Sequence, residues 1–180
     1  MKKTNPLSIS DIEKIAYIIR RIFKISNDEA FPIFDILEFF YEKGALTIQY
    51  LDNDDPIFEK DTPAKYNPID NFIYLKTSVL EEIENCEYRS NFTLAHEFFH
   101  FIQFHVLEFE FEEVDKCLSY EDPEWQANEF AGQLLIPKTY LEAAEYDSKL
   151  IAEKFKVSEI CAVTRRLKFK RRNNNHYSYM

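Results

Sequence analysis

Residues 91–105, NFTLAHEFFHFIQFH, constrain this chain more than any other stretch. A helix over them is apolar on nearly every face, which marks it for burial. Yet among Leu94, Ala95, Phe98, Phe99, Phe101 and Ile102 it carries His96, Glu97 and His100. Buried polar groups cost on the order of several kcal/mol unless something satisfies them. Two histidines at i and i+4 share a helix face roughly 5–6 Å apart and can meet one metal ion. Glu97 is turned about 100° from His96. That is too far round for a third ligand, but within reach of a water that the ion activates. A carboxylate there can take the water's proton as it attacks a carbonyl and deliver it to the leaving amine. Zinc suits such nitrogen and oxygen donors, converging at about 2.0–2.2 Å.

The third ligand has to come from elsewhere. His105 lies nine residues from His96, about 180° round a regular helix, and cannot join the same ion. The metzincin pattern fails as well, because Gln103 and Val106 hold the places of its Gly and third His. A carboxylate from a following helix is the other solution. The segment DPEWQANEFAGQLLIP offers Asp122 as a cap and Pro123 at the first helical position,. Glu124 heads a face that continues through Asn128, Ala131 and Leu135. Asn128, one turn on, can hydrogen-bond the outer nitrogen of a ligand histidine and fix its tautomer. Glu129 is the rival ligand, about 140° from Glu124. Glu124 is preferred, although a helix N-terminus alone would favour an acid there by some tenths of a kcal/mol.

The rest of the chain reads as α+β: mostly helical, with a small β-sheet beside the central buried helix. SISDIEKIAYIIRRIF places Ile12, Ile15, Ala16, Ile19, Ile22 and Phe23 at helical spacing behind candidate caps Ser8 and Ser10,. A second helix follows Pro32 and stops at Gly44,. ALTIQYL and FIYLK read as strands,. The polar stretch 52–71, with three prolines, reads as a loop or irregular hairpin,. Thr77 or Ser78 is a candidate cap for a helix over VLEEIENC. Residues 106–121 form an acidic linker that could lie over the site as a lid, and two or three short helices follow residue 137.

Composition removes several function classes. Gly44 and Gly132 are the chain's two glycines, so neither a Walker A loop nor a dinucleotide fingerprint can be built. No run of 18 uncharged apolar residues exists, so no membrane span is expected. Lys2 and Lys3 precede no apolar run, so no secretory signal is expected either,. Cys86, Cys117 and Cys161 form no CxxC pair and read as reduced thiols in a cytoplasmic protein,.

Net charge is −10, but six of the 22 basic residues fall in 165–172, RRLKFKRR, with no acid beyond. Residues 1–164 therefore carry 16 basic against 32 acidic side chains, a net of −16. The preceding IAEKFKVSEICAVTRRL has helix-turn-helix spacing, with Lys156 where the turn usually has glycine. One reading places residues 152–172 on DNA, with Arg165, Arg166 and Arg171 on phosphates. The acidic body and Lys156 favour the other, a small helical unit packed on the rest, with a solvated basic tail. Docking of a partner protein is a third use.

RSNFTLAHEFFH followed by EWQANEFAGQLLIP resembles the ImmA/IrrE family of zinc metallopeptidases. LSISDIEKIA is similar to its opening helix, NFIYL to its edge strand, and IAEKFKVSEICAVTRRLKF to its closing helix-turn-helix-like segment. The resemblance implies a zincin-like fold with a metallopeptidase domain over 1–145. A helix-turn-helix-like segment packed on it would cover 146–172, and a flexible tail 173–180. It matches His96 and His100 to the family's zinc-binding histidines, Glu97 to its general base, Glu124 to its acidic ligand and Asn128 to the polar residue behind it. It implies a cytoplasmic, site-specific endopeptidase cleaving a helix-turn-helix repressor, encoded in mobile elements or stress-response operons. The alternative is a metal-binding or DNA-binding regulator that acts without proteolysis. Two positions depart from the family. Phe99 stands where a glycine is usual, which suggests a tighter groove beside the metal, and Ile136 replaces a methionine.

Overall fold

The computed structural model describes residues 1–59, 62–85, 87–143 and 147–177, without the side chains of 174–177. Cys86 lies outside them, whereas Cys117 and Cys161 are free thiols. The architecture is α+β, with two small sheets among eight helices in the described residues.

Helix α1 (Ile9–Ile22) starts at a capping box, with Ser8 accepting from the Asp11 N–H and Asp11 accepting from the Ser8 N–H,. Its buried line is Ile12, Ala16 and Arg20, while Ile22, expected on the apolar face, is 63% exposed. Arg20 donates to the carbonyls of Leu134, Ser26 and Glu29. Its charge is thus spread over backbone acceptors, and burial lowers its pKa to about 10,. Helix α2 (Ile33–Glu42) follows Pro32, and Gly44 beyond it takes φ +66, the left-handed conformation that glycine adopts without strain,.

Strands β2 (Thr47–Leu51), β3 (Ala64–Asn67) and β4 (Phe72–Lys76) form one sheet in the order β2-β4-β3, parallel between β2 and β4 and antiparallel between β3 and β4. The proline-broken stretch thus holds a strand, and β4, expected at the edge, is central. The edge strand β3 lies beside helix α4 (Arg89–His105). Helix α3 (Thr77–Glu84) has Lys76 rather than Thr77 or Ser78 at its N-cap, and the Ser78 N–H donates to Asn53 from a distant loop. Two further strands carry no signal of their own in the sequence. Lys2–Thr4 (β1) pairs antiparallel with Phe111–Glu113 (β5). That pairing, with the Leu7 N–H on the Tyr120 carbonyl and the Val114 N–H on the Met1 carbonyl, pins the acidic 106–121 segment.

Helix α5 (Pro123–Leu135) packs along α4 and α1. Phe99 is fully buried and stacks on Phe130 at 4.4 Å between ring centroids. It fills the α4–α5 interface, so the expectation that it narrows the groove is corrected. Helices α6 (Lys138–Ala143), α7 (Ser148–Phe155) and α8 (Glu159–Tyr177) complete the fold. Lys156, in the α7–α8 turn, takes φ 52 and ψ 56, a left-handed conformation normally given to glycine,. Its carbonyl accepts from Asn91 of α4. Helix α8 runs on through 173–177.

A buried carboxylate fastens α8 to α5. Glu129, 2% exposed, accepts two hydrogen bonds at 2.9 Å from Arg172 and lies 3.4 Å from Lys168 and 4.0 Å from Arg165. Burial pushes its pKa up, but Arg172, Arg165 and Lys168 more than offset that and leave it lowered,. Arg165, 4% exposed, also donates to the Ile136 carbonyl and to Gln133. Burial brings its pKa down to about 10.

Two stability measurements follow. Phe99→Ala should lower unfolding free energy in urea by about 3–5 kcal/mol, the usual cost of emptying a packed phenylalanine site. Glu129→Ala should cost about 3–5 kcal/mol at neutral pH, since it strands Arg165 in the interior. Because the folded carboxyl has a lowered pKa, its contribution is present above the ordinary glutamate range and is lost as pH falls through the folded value. The gap between wild type and variant should therefore narrow in acid.

Candidate metal centre

His96 and His100 sit one turn apart in the middle of α4, half-buried, with Glu97 between them buried at 7% exposure. Helix α5 brings the third donor. Asp122 is its N-cap, accepting from the Glu124 N–H at 3.0 Å, and Pro123 occupies the first helical position. Glu124 thereby projects from the first turn, where the helix dipole favours a carboxylate,. The α4–α5 packing sets this turn against the histidines.

The donors converge. The Nε2 atoms of His96 and His100 are 3.0 Å apart. Glu124 places Oε2 at 3.1 Å from His96 Nε2 and Oε1 at 3.3 Å from His100 Nε2. Tetrahedral bonds of about 2.05 Å imply donors about 3.3 Å from one another. The three side chains therefore have both the chemistry and the spacing of a zinc shell. Hydrogen bonds with His100 and His96 hold the Glu124 carboxyl well below the usual glutamate range,.

The outer nitrogens are also held. His96 Nδ1 lies 3.3 Å from Asn128 Oδ1, one turn beyond Glu124. His100 Nδ1 lies 2.9 Å from Gln103 Oε1, a contact that sequence reasoning missed. Its signal is present as the i, i+3 spacing on α4, although in the sequence Gln103 stands out only as the place where the metzincin pattern has glycine,. His105 turns to the far side of the helix, as its angular position requires, and meets the Tyr66 hydroxyl,.

Glu97 accepts the Tyr66 backbone N–H through Oε2 at 2.7 Å. Edge strand β3 thus orients the carboxylate, a role no sequence pattern announced. Burial raises the Glu97 pKa, so the group holds a proton more readily than an exposed glutamate,. Glu97, His96, His100 and Glu124 all line one open groove of about 680 Å³, walled by Tyr66, Phe104 and Phe111. Glu129 is not among the lining residues. Its oxygens are engaged by Arg172 and Lys168 at the α5–α8 contact, so the structure gathers Glu124 rather than Glu129 with the histidines.

The fold has relatives among solved structures. A Mycobacterium tuberculosis transcriptional regulator superposes over 86% of this chain with a TM-score of 0.55 at 13% identity. The match covers 55% of that regulator, so the chain spans about half its length. At that identity the likeness speaks for the fold alone. No curated protein matches the chain. The model of the IrrE N-terminal-like domain, Peptidase_M78, matches residues 56–168, which include His96, Glu97, His100 and Glu124. The chain belongs to this peptidase family.

Proposed function

We propose that the chain is a zinc-dependent endopeptidase that cleaves one site in a protein substrate, a helix-turn-helix transcriptional repressor. The observation that carries this reading is the convergence of His96, His100 and Glu124 in a groove whose floor also holds Glu97. Membership of a peptidase family makes the substrate a protein, and the ImmA/IrrE resemblance supports a repressor. The same resemblance supports a cytoplasmic site of action. No described helix is long and apolar enough to cross a membrane.

His96, His100 and Glu124 would hold the zinc, with Asn128 and Gln103 fixing the imidazoles from behind. Bound there, zinc supplies a Lewis acid that polarises a carbonyl and makes water nucleophilic near neutral pH. Glu97 takes the proton of the attacking water and hands it to the leaving amine. Its raised pKa suits a group that must both accept and donate within one turnover,. The Tyr66 N–H on Oε2 keeps the carboxylate turned along the groove between these transfers.

The DNA-binding alternative draws less support from the same structure. Arg165 is buried, Arg166 donates to Ser148, and Lys168 and Arg172 are engaged with Glu129. Four of the six basic residues in 165–172 thus serve the packing of α8, among them Arg165 and Arg166, two of the three expected on phosphates.

Elemental analysis and cleavage assays separate the readings. Wild type, Glu97→Gln and Glu129→Gln should each carry about one zinc per chain, and His96→Ala and Glu124→Ala should carry almost none. Glu97→Gln should lose cleavage of the repressor by at least about a hundredfold while keeping its metal. Wild-type protein that binds the repressor intact with zinc loaded would point instead to a regulator that works without proteolysis.

A further inference from the structure

Behind His100 lies a chain of polar side chains that reaches backbone atoms far from the groove. Gln103 and Gln126 are both fully buried, on α4 and α5. The Gln103 amide nitrogen donates to Gln126 Oε1 at 2.8 Å. The Gln126 amide nitrogen donates to two carbonyls, of Asn5 and of Tyr120, each at 2.8 Å.

These contacts leave one orientation for every group. Backbone carbonyls can only accept, so the Gln126 amide must turn its NH2 toward Asn5 and Tyr120. Both of its protons are then committed, and its oxygen faces Gln103. An amide oxygen only accepts, so Gln103 must present its own NH2 to Gln126 and its oxygen to His100. The atom 2.9 Å from that oxygen is His100 Nδ1, which must therefore carry a proton. A neutral imidazole protonated at Nδ1 has its lone pair at Nε2, the atom that faces Glu124 and His96,. A flipped amide at either glutamine would set oxygen against oxygen or NH2 against NH2 in a site closed to water.

We infer that Gln126 and Gln103 are positioning residues that write the tautomer of His100 from the backbone carbonyls of Asn5 and Tyr120. In its neutral form His100 is thereby held with Nε2, not Nδ1, as the nitrogen open to the metal. His96 has a looser arrangement. Its outer partner, Asn128, is exposed and 3.3 Å away, so its amide can turn. The two histidines then differ in kind: His100 is set by the fold, and His96 adjusts when the ligand set closes. The carbonyl of Asn5 also ties the N-terminal segment directly to ligand geometry.

This inference rests on the proposed zinc site for its purpose, but the tautomer can be read without zinc. The first measurement is the protonation of His100 Nδ1 by nitrogen-15 NMR of the full, zinc-free chain with labelled histidine. At a pH high enough to leave the ring neutral, a protonated Nδ1 and a bare Nε2 are expected, and an unprotonated Nδ1 there overturns the relay whatever the metal does. The second is zinc affinity by chelator competition. Gln103→Leu should weaken zinc binding about tenfold to a hundredfold. Equal affinity for wild type and a folded Gln103→Leu protein would overturn the positioning role. A protonated Nδ1 in a wild-type protein that takes up no added zinc would bear out the relay and defeat the metal reading instead.

Discussion

Phe99 on α4 and Phe130 on α5 stack in the interior, and this contact fixes the relation of the two helices that supply all the candidate ligands. Neither helix could hold the site alone. Helix α4 offers two imidazoles and a carboxylate that would be costly to bury unpaired. Helix α5 brings Glu124 to the metal face, Asn128 behind His96 and Gln126 behind Gln103. The contact between them therefore combines a stacked aromatic pair with two polar pairings, each of which meets a histidine from the rear.

The far end of α5 is held with equal care. Arg20 donates to the Leu134 carbonyl and Arg165 to that of Ile136, so two buried guanidinium groups close the helix C-terminus,. At the other end sit Asp122 and Glu124. The charges run with the helix dipole, and the segment that delivers the acidic ligand is braced by α1 on one side and α8 on the other. Glu129 belongs to this brace. Its carboxylate has a packing partner in α8, which is why it does not reach the histidines five residues from Glu124.

What could be read in the sequence follows from how local each signal is. Ser8 with Asp11, Pro32 with Gly44, and Asp122 with Pro123 announce helix ends within a few residues of themselves, and the structure keeps them. The i, i+4 histidines and the Glu124–Asn128 face were legible for the same reason. Strands β1, β5 and β3 were not, because a three- or four-residue strand is specified by its partner. Lys2 opposes Glu113, and Ala64 opposes Leu75, with prolines obscuring the pattern between. Arg20 continues the buried line of Ile12 and Ala16 against its own polarity, because carbonyls from two other segments surround its head group. Gln103 and Gln126 read as ordinary polar residues until a contact 23 positions apart joins them. The direction of Phe99, into the core rather than the groove, depends on a neighbour that only the fold supplies.

The relay behind His100 also has a bearing on how the protein comes into being. The contacts that fix the site span most of the chain: 106 residues from Thr4 to Glu110, 114 from Arg20 to Leu134, and 121 from Asn5 to Gln126. Closing such long loops is entropically uphill and comes late in folding. A ribosome-bound chain lacks Gln126 until α5 has been made, so the relay behind His100 cannot close before then. Assembly of the candidate site thus waits until α5 has packed on α4, and a product ending before α5 keeps the two histidines without Glu124.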